Sequence, residues 1–352
     1  MKTIFDYKHY VPILRWKQGE QLALKELFPT DRSLMTPLVE LPSDYEKTID
    51  ETVNAVAKNW GSAAMFFDVR PILHRRDPAW RKNHVTAFFN EARNAGLELT
   101  PVTGLDCSVE YRTEVRNVIE VDQRGACIRL NRAYLGRPNL RDDLLALLAN
   151  LGIEPKMVDV VLDLQICDGT NQNYAGFCGA LPNLSDWRTL TVAGGAFPED
   201  LTEFTVGRHD VRRHDWLSYR NTIKAQLPRR PTYGDYATLH PFLKPDMQGL
   251  NPSASIRYTS EECWVVMRGE GLRNKTGAGH AQYPANAKLL TDSLAYCGQY
   301  FSFGDNYIYE VSLNKGKTGN PRTWVTAGVN HHLTFAVRQI NRIFNDSPKL
   351  GT

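Results

Sequence analysis

Val158-Asp159-Val160-Val161-Leu162-Asp163-Leu164 decides the fold. Its apolar residues run almost without the polar alternation of a half-exposed strand, and the run closes on an acid, which suits a strand buried on both faces of a parallel sheet. Just upstream, Leu140–Leu151 carries apolar residues at helical spacing and stops at Gly152. Before that helix comes another β-type run, Ala126-Cys127-Ile128-Arg129-Leu130. A strand, a polar loop and an amphipathic helix therefore form a unit, and the unit recurs in both directions.

Toward the N-terminus the strands are Tyr10–Arg15, Met35-Thr36-Pro37-Leu38-Val39-Glu40, Ala64-Met65-Phe66-Phe67-Asp68-Val69-Arg70 and Leu97-Glu98-Leu99-Thr100-Pro101-Val102. A helix follows each: one from Gly19-Glu20 through Leu27, one capped by Ser43 or Asp44 and running to Trp60, one over 78–94 stopped by Gly96, and one capped by Ser108. Toward the C-terminus come Thr189-Leu190-Thr191-Val192-Ala193, a helix over 215–226, and a weaker eighth strand, Thr232-Tyr233-Gly234-Asp235-Tyr236. Strands alternating with helices require right-handed crossovers and a parallel sheet. Two arrangements fit, an open doubly wound α/β sheet and a closed (β/α)8 TIM-type barrel. No GxGxxG follows the first strand, no GxxxxGK[ST] loop occurs, and the units number eight, so the closed barrel is favoured.

After Asp235 the rhythm changes. Ser255-Ile256-Arg257-Tyr258-Thr259 and Cys263–Arg268 read as an antiparallel pair, followed by a helix over 283–297 and a further strand at Tyr307-Ile308-Tyr309-Glu310-Val311. Residues 243–325 thus form an inserted α+β subdomain, and 1–242 with 326–352 form the barrel. Leu333, Val337, Ile340 and Ile343 place a last amphipathic helix over 330–344, expected as the eighth helix of the ring.

Composition excludes several classes. Hydrophobic residues make up 42% and charged residues 23% of 352, which suits a chain with a large core. A formal charge of +3 gives no electrostatic signature for nucleic acid or anionic membrane, and sequence-specific DNA binding is not expected. The most basic stretch, 208–214, is read as a solvated helix start. The six cysteines lack CxxC or finger spacing and read as reduced thiols; with no apolar leader and no spanning run, a cytoplasmic location is expected.

Functional groups of a (β/α)8 barrel sit at the carboxyl ends of its strands. That rule gathers Arg15, Lys17, Glu40, Asp68, Arg70, Arg129, Asp163 and Asp235 into one rim. Arg15, Arg70 and Arg129 are candidate anion ligands, and Lys17, Glu40, Asp68 and Asp163 are the catalytic candidates, the carboxylates as acid and base or as holders of Mg²⁺. The alternative is that these charges only neutralise one another. Within the insertion, Arg257, Tyr258, Trp264 and Arg268 are further ligand-binding candidates, since Arg and aromatics dominate interfaces; Trp264 and Trp324 fit a small core equally well. The histidines include no HxxxH, and His331-His332 read as helix-cap or insertion contacts, so no dedicated protein metal site is assigned. No GxSxG nucleophile elbow occurs.

Tyr10-Val11-Pro12-Ile13-Leu14-Arg15-Trp16-Lys17-Gln18-Gly19-Glu20, Pro37-Leu38-Val39-Glu40, Ser255-Ile256-Arg257-Tyr258, Trp264, Arg268-Gly269 and Gly328-Val329-Asn330-His331-His332 together resemble the beta family proteins of bacteria and their phages. The resemblance implies a bacteriophage or mobile-element setting, with antiviral defence within it, and carries no catalytic roles. Two functions follow as expectations. In one, the rim binds or processes a phosphate-bearing ligand such as a nucleotide or nucleic-acid end. In the other, the insertion recognises a phage or host protein without turnover.

Overall fold

The computed structural model describes residues 5–73, 83–169, 173–242, 251–274, 278–315 and 317–345. In chain order its strands are β1 (Tyr10–Arg15), β2 (Leu38–Glu40), β3 (Met65–Asp68), β4 (Leu99–Thr103), β5 (Ala126–Asn131), β6 (Val158–Ile166), β7 (Thr189–Gly195), β8 (Gly207–Arg212), β9 (Thr232–Asp235), β10 (Ile256–Thr259) and β11 (Cys263–Arg268). β1 to β7 and β9 close into a barrel in that order, and every pairing described within it is parallel. This is the (β/α)8 barrel expected from the repeat. Val158 through Leu164 is buried throughout, as a strand covered on both faces must be. Register aligns Arg15 with Glu40 and Glu40 with Asp68, so the ends of β1, β2 and β3 stand level.

Local chemistry sets the helix boundaries. Ser108 accepts from Tyr111 N at 3.3 Å, and Gly152 ends Leu140–Leu151 in the left-handed conformation, φ 67°. The helix expected to be capped by Ser43 or Asp44 instead begins at Ile49, because Thr48 and Glu51 close a capping box. Of the helix expected over 78–94, His84–Asn94 is seen, with Asn83 at its N-cap; residues 78–82 lie outside the described residues.

The chain packs as two compact units, and their boundaries differ from those expected from sequence. The first holds the described residues up to Trp16, then Met35–Gly194 and Leu217–Asp235, and contains the barrel. The second holds Lys17–Leu34, Gly195–Trp216 and the described residues from Tyr236 onward. Its sheet is antiparallel, in the order β10-β11-β8. Alternation along β11 sends Val265 and Met267 to one cluster with Ile256, Tyr258, Tyr283, Ile308 and Trp324, and Trp264 and Val266 to another with Phe197 and Leu201.

Three expectations are corrected within this unit. The stretch 208–214 is mostly strand β8, whose backbone pairs with β11 while Arg208, Asp210 and Arg212 face out. Tyr307-Ile308-Tyr309-Glu310-Val311 lies in the helix Phe303–Ser312: Ser302 caps it, and Ile308 and Val311, three residues apart, share the buried face. The last helix starts early, at Pro321, runs to Asn345, and belongs to the second unit rather than the ring. Gly19 lets it come close to the helix Gln18–Lys25, since a Cβ there would lie 2.9 Å from Val325; Asn330 Nδ2 donates to Ala23 O at 3.0 Å.

His331 and His332 are insertion contacts, as expected. His331 Nδ1 meets Asp305 Oδ2 at 2.8 Å and its Nε2 meets Thr259 O at 2.8 Å. Tyr258 Oη and Ser302 Oγ also donate to the Asp305 carboxylate, each at 2.6 Å. Burial alone would raise the Asp305 pKa, but His331 and these donors outweigh it and hold the carboxyl below its ordinary range. Among the described residues no helix is long and apolar enough to cross a membrane.

Candidate functional site

The barrel mouth is closed by Arg129. From β5 its guanidinium reaches Asp163 of β6 through Nε at 2.9 Å and Nη2 at 2.7 Å, Glu40 of β2 through Nη1 at 2.5 Å, and Asp68 of β3 through Nη1 at 3.2 Å. One side chain therefore joins four strands. Asp68 also accepts from Arg70 Nε at 2.9 Å and Nη2 at 2.7 Å, and Asp163 Oδ1 caps Gln165 N at 3.0 Å. Burial would push the Asp68 carboxyl up; Arg70, then Arg129, overcomes that and holds it ionised below the usual range. The same pairing raises Arg70 well above its ordinary value against the effect of burial.

Glu40, Asp68, Arg70, Arg129 and Asp163 are thus brought together as the rim rule requires, and they neutralise one another. Mg²⁺ does not fit this arrangement. Glu40, Asp68 and Asp163 each turn an oxygen to Arg129, and among the described residues no group of three or more His, Cys, Asp or Glu side chains is arranged to hold a metal ion. Arg15 ends β1 in register with Glu40. Asp235, expected at the rim, is instead fully buried, accepting from Tyr10 Oη at 2.5 Å and Tyr233 Oη at 2.8 Å. Lys17 occupies the N-cap position of Gln18–Lys25 and belongs to the second unit.

The loop after β4 supplies residues the rim rule should also have gathered. Arg70 Nη1 donates to Asp106 Oδ1 at 3.3 Å, and the Asp106 side chain is 53% exposed against 1% for Asp68. Gly104 makes room for this contact: a Cβ there would stand 2.7 Å from Asp106 Oδ1 and 2.9 Å from Arg70 Nη1. Cys107 lies beside them, its thiol pushed up by burial despite Arg70. The signal was Asp106 and Gly104 in a βα loop at the carboxyl end of β4.

The insertion residues fall elsewhere. Tyr258 and Trp264 are core, 0% and 1% exposed, and so are Tyr283 and Trp324, so none of them presents a ring to a partner. Arg257 Nη1 donates to Thr238 O at 2.8 Å with its guanidinium 4.7 Å from the Phe197 ring centroid, and burial lowers its pKa to about 10. Arg268 Nε donates to Leu201 O at 3.0 Å. Both arginines tie the sheet to the segment 195–204, so of the four insertion candidates the two aromatics are core and the two arginines bond carbonyls of their own unit.

A family model described as Beta protein matches residues 10–338. No curated protein sequence matches the chain. Among solved structures, the chain is similar to a mutant tryptophan synthase alpha-subunit of Pyrococcus furiosus, with 12% identity over 67% of this chain and 89% of that one and a TM-score of 0.40. Triosephosphate isomerase of Bartonella henselae is 10% identical over 66% and 94%, TM-score 0.34, and the YdjI aldolase of Escherichia coli K12 is 7% identical over 97% and 94%, TM-score 0.37.

Proposed function

We propose, for a chain that belongs to the Beta protein family, that the barrel mouth binds a phosphate-bearing ligand, with Arg70 as its anchor. The observation that carries this is the unequal pairing of Arg70: its Nε and Nη2 are fixed on buried Asp68, while its Nη1 meets the exposed Asp106 at a long 3.3 Å. A phosphate oxygen arriving from solvent takes the place of Asp106 on Nη1. The exchange replaces one anion by another, so the rest of the network need not rearrange to compensate charge. On this reading Glu40, at 16% side-chain exposure more open than Asp68 or Asp163, is the carboxylate nearest to solvent and the general base of the site. A nucleotide or nucleic-acid end is the phosphate source that a phage or mobile-element setting, antiviral defence included, would supply.

The test is calorimetric titration of the full chain with AMP and with inorganic phosphate. Arg70→Gln should abolish binding, and Asp106→Asn, which removes the competing carboxylate, should tighten it by on the order of tenfold. Unchanged affinity in Arg70→Gln would rule out the assignment.

A further inference from the structure

The amino ends of β6, β7, β9 and β1, consecutive around the barrel, carry a second set of cations at the end opposite the mouth. Two cavities lie among the segments that lead into these strands. One, of about 460 Å³, is lined in part by Lys156, Arg188, Arg229 and Asp186; the other, of about 290 Å³, in part by Arg229, Arg230, Asp6 and Tyr7. Arg229 lines both, Lys156 only the first and Arg230 only the second, so the cations follow one another along a groove with Arg229 at its middle.

Their pairing differs from that of the mouth arginines. Arg188 is committed to Asp159, through Nε at 3.0 Å and Nη2 at 2.6 Å, and forms a fixed wall. Arg229 is held by neutral groups only: Nη1 donates to Trp187 O and Nη2 to Arg188 O at 2.8 Å. Among the described residues no carboxylate comes within ion-pair distance of it, and a guanidinium has more N–H donors than two carbonyls occupy. Burial lowers its pKa, with Asp159 opposing from beyond contact, as expected of a charge withdrawn from water without an anion beside it. Arg230 is exposed and lies 5.5 Å from the Tyr7 ring centroid, and Lys156, 75% exposed, pairs with Glu154 of its own turn.

We propose that this groove is a second binding site, for an oligophosphate chain, with Arg229 holding its middle and Lys156 and Arg230 its flanks. Several cations in a row across two adjoining cavities match several anionic groups in a row better than one compact anion. Asp6 and Asp186 line the groove beside four cations, of which Lys156 and Arg188 already pair with Glu154 and Asp159, so among the described residues Arg229 and Arg230 are the cations it offers to an anion. The assignment does not depend on the proposal for the mouth, which uses none of these residues.

Titration of the full chain with inorganic triphosphate at low ionic strength tests it, with ATP as a parallel arm. Saturable binding is expected, weakened by on the order of tenfold or more in Lys156→Glu/Arg230→Glu, whose positions are exposed enough to spare the fold, and in Arg229→Gln. Arg70→Gln should lose only the mouth's share of the titration and keep the binding that Lys156→Glu/Arg230→Glu weakens, which separates this site from the mouth. Tighter binding of ATP than of triphosphate assigns the groove to nucleoside polyphosphates, and equal binding assigns it to the phosphate chain alone; either outcome upholds the site. Absence of binding at millimolar triphosphate overturns it, and so does equal affinity in the double charge reversal.

Discussion

Arg129→Met is the sharpest perturbation of the barrel mouth. The arginine is 11% exposed and serves Asp163, Glu40 and Asp68. Methionine keeps much of the stem's volume, so the loss is electrostatic. Asp68 retains Arg70, whereas Glu40 and Asp163 lose their guanidinium in a poorly solvated place. Breaking a buried pair from one side costs about 3–5 kcal/mol, because the remaining charge stays without compensation. Urea unfolding followed by far-ultraviolet circular dichroism should show a deficit of that size at pH 7. Its pH dependence separates charge from packing. The folded pKa of Asp68 is depressed, so its contribution in the parent is complete above the unfolded value of about 3.9 and is lost only as pH falls through the lower folded value. In the variant Asp68 keeps Arg70 alone, so its carboxyl is held less far below the ordinary value, and the part of the deficit it carries vanishes once acid protonates it in both proteins. The deficit should therefore be smaller at about pH 3 than at pH 7. A deficit below about 1 kcal/mol at pH 7, or one equal at both pH values, refutes the account of the mouth as a charge network.

Three further outcomes are expected. Gly125→Ala should destabilise by about 3 kcal/mol or more, since φ is 68° and a Cβ would fall 1.9 Å from Met157 O; Gly152→Ala, at similar φ but with its nearest neighbour 3.7 Å away, should cost only about 1 kcal/mol, and equal melting temperatures would contradict this. Asp305→Ala should cost about 3–5 kcal/mol at pH 7 by stranding His331; because the Asp305 pKa is depressed, the parent should keep this contribution down to about pH 4 and lose it below, so an acid midpoint shared by parent and variant would count against the pair. Thr48→Ala should lose about 1 kcal/mol with the capping box, and no change in thermal midpoint would show that this helix end is held by other contacts.

The barrel itself was legible in the chain. A strand such as β6 announces its double burial by composition, and Ser108 and Gly152 punctuate helices through bonds to neighbours a few residues away, so eight units could be counted without knowing how they meet. The same locality limits the reading where propensity and packing disagree. Tyr307 to Val311 has the composition of a strand, yet a cap at Ser302 and a buried face three residues in period make it helix; the charged stretch at 208–212 has no apolar signal, yet β11 supplies the backbone partner that makes it strand.

Sequence by itself determined that Glu40, Asp68, Arg70, Arg129 and Asp163 share a rim, because strand direction alone places them at one end of the barrel. Only the tertiary structure decided what those charges do. Arg129 meets Glu40 across 89 positions of chain, and Asp106 and Gly104 enter through a loop whose importance rests on one guanidinium. The same holds for Arg229, which looks in the chain like any surface arginine before a strand and gains its character from having carbonyls, and no carboxylate among the described residues, within reach. Periodicity is written in residues close in sequence, whereas the pairing of charges depends on distances that exist only once the strands have closed.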